Sequence, residues 1–516
     1  MAEYLDLFMF FGLIAAVLSG FPVAFSIAGI AIVFAFLGWW LGVMNLSLLG
    51  ALSQRFFGLL TNDILIAIPL FVLMGAMLEK SRIAEELLET MGRLFGGLRG
   101  GLGISVVLVG MLLAASTGIV GATVVAMGMI ALPTMLRSGY NPGFASGIVC
   151  TAGTLGQIIP PSTLLIILSD VVSNAYQQAQ YEEGKFIIDT VSVGQLFAAA
   201  LLPGLAMVVL YIIYILVRGL IRSEDCPVSI ESSNRPSLRE CIAAILPAIS
   251  LILAVLGAIL FGIASPTEAA SIGAIGVFLM AATKLEHKSR FLIFGIICLV
   301  LLAVGAGVYP VSLQRDDLAI FDYAMGGVYI VLTALGGMAI YKAIKLLIAR
   351  KTLHAALTST MTMTSMIFVT ILAASVFSLV FIGLGGEERV HGILSDLPGG
   401  PTGALLFCMV FIFILGFFLD FVEITVIVLP LVMPPLILMG HDPIWLAVLI
   451  AINLQTSFLT PPFGFSLFYL RGAAPKEVTT AHIYTGVTPF ILLQILALTL
   501  IWFLPQIATY LPKALF

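Results

Sequence analysis

Charge is what this chain has least of. Only 10% of its 516 residues are Asp, Glu, Lys or Arg, against roughly 25% in soluble domains. With 61% apolar residues, the chain belongs in lipid. Basic residues are missing from its start: the first is Arg55, so the apolar N-terminus lacks the basic n-region of a cleaved signal peptide. Glu3 and Asp6 instead lead into what reads as a mature first helix facing outward. Cysteine is sparse, and Cys150, Cys226, Cys241, Cys298 and Cys408 show neither metal-ligand spacing nor a disulfide framework. The five histidines (His287, His354, His391, His441, His482) fall in loops or at span ends, which gives no support to intramembrane zinc or Ser-His hydrolysis. No GxxxxGK[ST] phosphate loop is present, so ATP hydrolysis by that route is excluded. A net charge of −4 gives no reason to invoke nucleic acid. Neither an enzyme nor a cofactor is expected.

What the chain has is a repeat. Gly139-Tyr140-Asn141-Pro142 is followed 18 residues later by Pro160-Pro161, and Gly440-His441-Asp442-Pro443 is followed 18 residues later by Pro461-Pro462. Pro133 and Pro434 match upstream, and Gly100-Gly101 and Gly399-Gly400 open the two copies. Kinked helix pairs with ordinary Pro and Gly would be the plain reading. A spacing that agrees across a whole unit points instead to a secondary transporter, whose site lies where broken helices of two halves meet near the midplane. The fold class expected is an all-α polytopic membrane protein with inverted repeats, each with a re-entrant helical hairpin and a broken helix.

The organisation follows. Residues 1–79 are scaffold helices, 80–99 a charged cytoplasmic arm, and 100–172 a first core. Scaffold helices at 173–284 precede an inserted helix pair at 285–350, a span at 351–382 and a periplasmic arm at 383–400. A second core at 401–472 and a C-terminal scaffold helix at 473–516 complete the chain. Tracing this with the N-terminus outside leaves only Arg55, Lys185, Arg315, Arg389 and Lys513 on the outer side and 18 of the 23 Lys and Arg on the cytoplasmic side, as the positive-inside rule requires. The first hairpin then opens to the cytoplasm and the second to the outside, so the halves are inverted copies.

The first hairpin turns at Ser116-Thr117-Gly118, with Gly121 and Thr123 just beyond, and faces a break that runs from Thr151 through Gly153, Thr154, Gly156, Pro160 and Ser162. Hydroxyls and carbonyls freed by proline are hard oxygen ligands for a dehydrated Na+, and half-helix ends add complementary dipoles. The competing reading is a small-residue packing face. The second hairpin turns near Asp420 and Glu423 and faces Thr456, Ser457, Thr460, Pro461, Phe463 and Gly464. A carboxylate deep in an apolar run is a functional candidate, and a helix cap is its alternative role. Glu268, just after Ser265-Pro266, reads as a helix-dipole acid.

At these residues the chain resembles the large membrane subunit of tripartite ATP-independent periplasmic (TRAP) transporters, within the ion-transporter superfamily. The resemblance is carried by Ala67-Ile68-Pro69-Leu70-Phe71 with Gly75, Leu98-Arg99-Gly100-Gly101, Leu132-Pro133-Thr134-Met135, Gly153-Thr154-Leu155-Gly156 through Pro160-Pro161-Ser162, Ser265-Pro266-Thr267-Glu268, and Pro461-Pro462. It covers nearly the whole chain apart from roughly 285–350. It implies Na+-driven uptake of small organic acids (2-oxo or 2-hydroxy acids or dicarboxylates) by an elevator mechanism in a bacterial inner membrane. It also implies a four-helix small membrane subunit and a soluble periplasmic binding protein, both as separate chains. On this reading the cation lies among Ser116, Thr117, Gly118, Thr151, Gly153, Thr154, Gly156, Asp420, Glu423, Thr456, Ser457 and Thr460. The substrate lies beside Ser116, Gly121, Thr123, Pro160, Ser162, Pro461, Phe463 and Gly464. A stand-alone carboxylate symporter of the same superfamily is the alternative. An intramembrane protease is disfavoured, because Asp420 and Glu423 share one short segment.

Overall fold

The computed structural model describes residues 4–118, 120–228, 236–286, 289–311 and 320–516. Among these residues helix is the only regular structure. A helix satisfies its backbone N–H and C=O groups internally, as a bilayer demands. Ten of the described helices are long and apolar enough to cross a membrane.

The two repeats fold alike. The first hairpin pairs Gly101–Thr117 with Val120–Arg137, and the second pairs Gly400–Leu415 with Phe421–Leu438. Gly139 (φ +83°) and Gly440 (φ +95°) end the second arms in the left-handed conformation, which carries no Cβ penalty in glycine. The next helix is capped the same way twice. Asn141 Oδ1 accepts from the N–H groups of Gly143 and Phe144 at 2.9 and 3.2 Å, and Asp442 Oδ1 from Ile444 and Trp445 at 2.9 Å each. Pro142 and Pro443 fill the first helical position, where no N–H is needed. The helices so started break in mid-course: Pro142–Thr154 resumes as Thr163–Glu182, and Pro443–Leu459 as Phe465–Ala473.

The repeats are interlocked. The second arm of the first hairpin packs on Phe465–Ala473 of the other repeat, and the second arm of the second hairpin packs on Thr163–Glu182. Close approach at the first of these contacts depends on small residues, since a Cβ on Gly121 would lie 2.9 Å from the Tyr469 ring and one on Gly128 2.9 Å from Leu470. The long helix Thr480–Phe503, which the sequence groups with the scaffold, packs on Val193–Ile221 and also lies against Pro142–Thr154. Backbones meet there: a Cβ on Gly147 would fall 2.1 Å from the Gly486 carbonyl oxygen, and one on Gly486 1.8 Å from that of Gly143. Hydropathy alone does not reveal such a seam, because lipid-facing and core-facing helices are equally apolar.

A second group of helices surrounds this core. Val23–Trp40 and Ala67–Lys80 both pack on Thr352–Gly383, and Ala67–Lys80 also packs on Pro266–Leu285. The inserted helices Arg290–Val308 and Ile320–Ala349 pack on each other and on Pro266–Leu285. Their small apolar cluster (Leu279, Ala282, Leu292, Ala339, Ala343) is separate from the main core. Two short amphipathic arms join the groups. In Ile83–Phe95, Leu87, Leu88 and Met91 are buried while Glu85, Glu86 and Glu89 face outward, and Lys284 pairs with Glu86 at 2.6 Å. In Gly386–Asp396, Arg389 pairs with the fully buried Asp6 at 2.5 Å, and Glu387 accepts from Gln178 at 2.6 Å.

Candidate functional site

The two breaks differ from the helix starts in one respect. Asn141 and Asp442 cap the first halves, but the second halves, beginning at Thr163 and Phe465, have no side-chain cap. Each therefore presents N-terminal N–H groups without a capping side chain and the positive end of its dipole. A helix start of this kind suits an anion. The tip of the first hairpin lies on one of them: Gly118 adopts φ +61°, and a Cβ there would stand 2.5 Å from the Thr163 nitrogen and 2.6 Å from its Oγ1. Any side chain at Gly118 would fill the place where the tip meets the break.

Around the first break, Thr151, Gly153, Thr154, Gly156, Pro160 and Ser162 are all buried. Gly153 admits the second hairpin arm, since its Cβ would come 3.1 Å from the Val124 backbone. Thr154 Oγ1 donates to the Thr151 carbonyl at 2.9 Å, and Ser162 Oγ to that of Gln157 at 3.2 Å. Thr151 Oγ1 has no partner. Gly121 is half-buried and Thr123 buried. The side chains of Ser116 and Thr117, which the sequence places in both ligand sets, lie outside the described residues; their backbone closes the helix Gly101–Thr117.

In the second repeat Asp420 acts as a helix cap, its carboxylate accepting from Phe421 N–H at 2.8 Å. Glu423 is buried with Oε2 unpartnered. A π-helical turn, Ile424–Val428, follows at once, a feature that recurs at functional sites, and Thr425 Oγ1 within it is also unpartnered. Thr456, Ser457 and Thr460 donate to the carbonyls of Ile452, Phe413 and Thr456 at 2.8, 2.7 and 2.7 Å. Their protons point at the backbone, so their oxygen lone pairs remain for a ligand. Gly464 is buried, Pro461 is half-buried, and Phe463 is 46% exposed beside the rings of Phe417 and Phe418 at 6.4 and 5.8 Å. The first break is thus closed and the second partly open.

Two amides were missed by reading for hydroxyls, glycines and charges. Gln455 Nε2 donates to Thr154 Oγ1 at 3.3 Å across the repeats, with its Oε1 unpartnered. Gln157 is buried with both polar atoms unpartnered. The signal was available, as each is an amide inside an apolar run at a break. The arrangement provides neutral oxygen ligands, two helix starts and one buried carboxylate. Among the described residues it offers no nucleophile–base pair, and no cluster of His, Cys, Asp and Glu could hold a metal ion.

Residues 10–294 and 286–507 match the family profile described as "Tripartite ATP-independent periplasmic transporter, DctM component". The chain is 27% identical to the C4-dicarboxylate TRAP transporter large permease protein DctM of Vibrio cholerae over 98% of its own length and 97% of that protein's. It is 24% identical to the ectoine TRAP transporter large permease protein TeaC of Halomonas elongata, covering 97% of each, and 23% identical to the sialic acid large permease SiaM of Vibrio cholerae, covering 98% and 97%. Among solved structures, the YdaH transporter of Alcanivorax borkumensis is similar in fold, with a TM-score of 0.53 at 14% identity over 89% of this chain and 88% of that one.

Proposed function

Because the chain belongs to the DctM component family of the tripartite ATP-independent periplasmic transporters, we propose that this large permease subunit imports small organic acids into a bacterium by coupling them to Na+. The family brings with it a periplasmic binding protein and a small membrane subunit. Relatives named for C4-dicarboxylates, ectoine and sialic acid all handle compounds that bear a carboxylate. The observation that carries the reading is the pair of uncapped half-helix starts at the two breaks, beside buried hydroxyl and amide oxygens without partners. Helix starts favour the carboxylate and neutral oxygens favour Na+.

Transport then proceeds as an elevator. The hairpins and broken helices move as one block, and the close Gly147–Gly486 seam supports counting Thr480–Phe503 with it. The helices packed around Thr352–Gly383 stay still, the inserted pair stays with them, and the arms Ile83–Phe95 and Gly386–Asp396 connect the two. The N-terminus faces the periplasm, with the basic loops inside. Reconstitution in liposomes tests the reading. Uptake should need a Na+ gradient together with the binding protein and small subunit. Equal uptake by this chain alone would make it a stand-alone symporter instead.

A further inference from the structure

Gln157 closes the short 3-10 turn Leu155–Gln157 in the first break. It is fully buried, and neither Nε2 nor Oε1 has a hydrogen-bond partner. An amide without partners is costly to bury, most of all within a bilayer. A leucine or methionine of similar size would avoid that cost, so the amide calls for a ligand. The turn packs against both arms of the first hairpin, against both halves of its own broken helix, and against Pro443–Leu459 of the other repeat. Gln157 therefore stands where the closed break, the hairpin and the opposite repeat converge. Other acceptors without partners belong to the same segments: Thr151 Oγ1 and Thr163 Oγ1 in the first repeat, Gln455 Oε1 in the second.

The chemistry of the amide narrows the ligand. A cation alone would satisfy Oε1 and leave the amide protons unpaired. A carboxylate alone would satisfy Nε2 and leave Oε1 unpaired. A cation and a carboxylate side by side satisfy both atoms at once. We infer that Gln157 bridges the coupling ion and the substrate, taking Na+ on Oε1 and donating from Nε2 to the substrate carboxylate. This rests on the Na+-coupled reading and deepens it, by naming the side chain through which one ligand prepares the site for the other. Na+ on Oε1 fixes the amide plane and aims Nε2, so the carboxylate meets a preorganised donor. By linkage, the carboxylate strengthens Na+ binding by the same factor.

The test uses the full chain carrying Gln157→Leu or Gln157→Glu. Melting is followed by tryptophan fluorescence in NaCl and in KCl at equal ionic strength. Uptake by the complete transporter is followed with a panel of labelled dicarboxylates and 2-hydroxy and 2-oxo acids. Wild type should melt higher in NaCl. Gln157→Leu should lose that difference, melt in KCl at or above wild type, and lose uptake by about tenfold or more. Gln157→Glu keeps an oxygen for Na+ but repels the carboxylate, so it should keep the Na+ shift and lose uptake. The inference is overturned if Gln157→Leu keeps the Na+ shift, if it melts lower in KCl, or if Gln157→Glu transports normally. Wild type without any Na+ shift overturns the Na+-coupled reading itself, and a panel that wild type ignores overturns its substrate class.

Discussion

Gln455 Nε2 donates to Thr154 Oγ1 at 3.3 Å, and the two residues are 301 positions apart, the offset that also relates Pro142 to Pro443. Each is the other's counterpart in the repeat. A residue that touches its own counterpart lies on the pseudo-two-fold axis, so the axis runs through an uncharged, buried polar contact between the two broken helices. Thr154→Val should cost about 1–3 kcal/mol by leaving the buried Gln455 Nε2 unpaired, and Gln455→Met should cost less, because Thr154 Oγ1 keeps its bond to the Thr151 carbonyl. The double variant should cost less than the sum by about 0.5–1.5 kcal/mol, measured as a double-mutant cycle of unfolding free energies. Strict additivity would mean the contact contributes nothing.

Uptake should stop when the Na+ gradient is collapsed. The neutral oxygens at both breaks motivate this, with no phosphate loop in the sequence to supply another energy source. Undiminished uptake in Na+-free buffer with a proton gradient present would identify the proton as the coupling ion.

Ser116→Ala and Thr460→Ala should each weaken Na+-dependent uptake without reducing the amount of folded protein. Losing one neutral ligand is expected to cost about 1–3 kcal/mol, by analogy with an unsatisfied buried polar group. The readout is the Na+ concentration for half-maximal uptake, and a variant with the wild-type value removes its residue from the site.

The seam at Gly486 predicts both stability and motion. Gly486→Val must push its Cβ into the space of the Gly143 carbonyl, and overpacking of this kind costs about 1–3 kcal/mol or more, read as a lower melting temperature. A disulfide between Pro142–Thr154 and Thr480–Phe503 should leave transport intact if both belong to the proposed block. One between Thr163–Glu182 and Thr352–Gly383 should arrest it. Arrest by the first cross-link would exclude a block that includes the last long helix.

The Asp6–Arg389 pair ties the first helix to the second arm. Breaking a buried pair costs about 3–5 kcal/mol, and the 25% exposure of the Arg389 side chain puts Arg389→Gln toward the lower end. Asp6→Asn should cost less, since the Arg389 charge it leaves behind is a quarter exposed and keeps its contact with the Tyr4 ring. Thermal unfolding of the two variants checks the order.

Much of this was legible in the chain because it is local. The matched Gly139 and Gly440, the caps Asn141 and Asp442, and the Pro-Pro pairs each determine a few backbone torsions, and those torsions recur in the fold. The segment Gly386–Asp396 is a short helix set between the left-handed Gly385 and Gly399 for the same reason. What was not legible is long-range. Nothing in the periodicity of Val120–Arg137 says that it packs on Phe465–Ala473, or that Gly486 brings the last long helix against the first core. Sequence weighs Asp420 evenly between ligand and cap, and only the geometry shows that its carboxylate accepts from the Phe421 N–H. Gln157 was passed over because an uncharged amide leaves little mark on hydropathy, although its burial makes it conspicuous.

Ser162 and Phe463 occupy the same step of the two repeats, yet Ser162 is fully buried while Phe463 is 46% exposed. Two halves built on one plan are thus held in two different postures within a single molecule. On the elevator proposed above, movement of the whole block would exchange which half faces water, without a new fold. Matched positions should then show reciprocal reactivity to a water-borne label as the cycle turns.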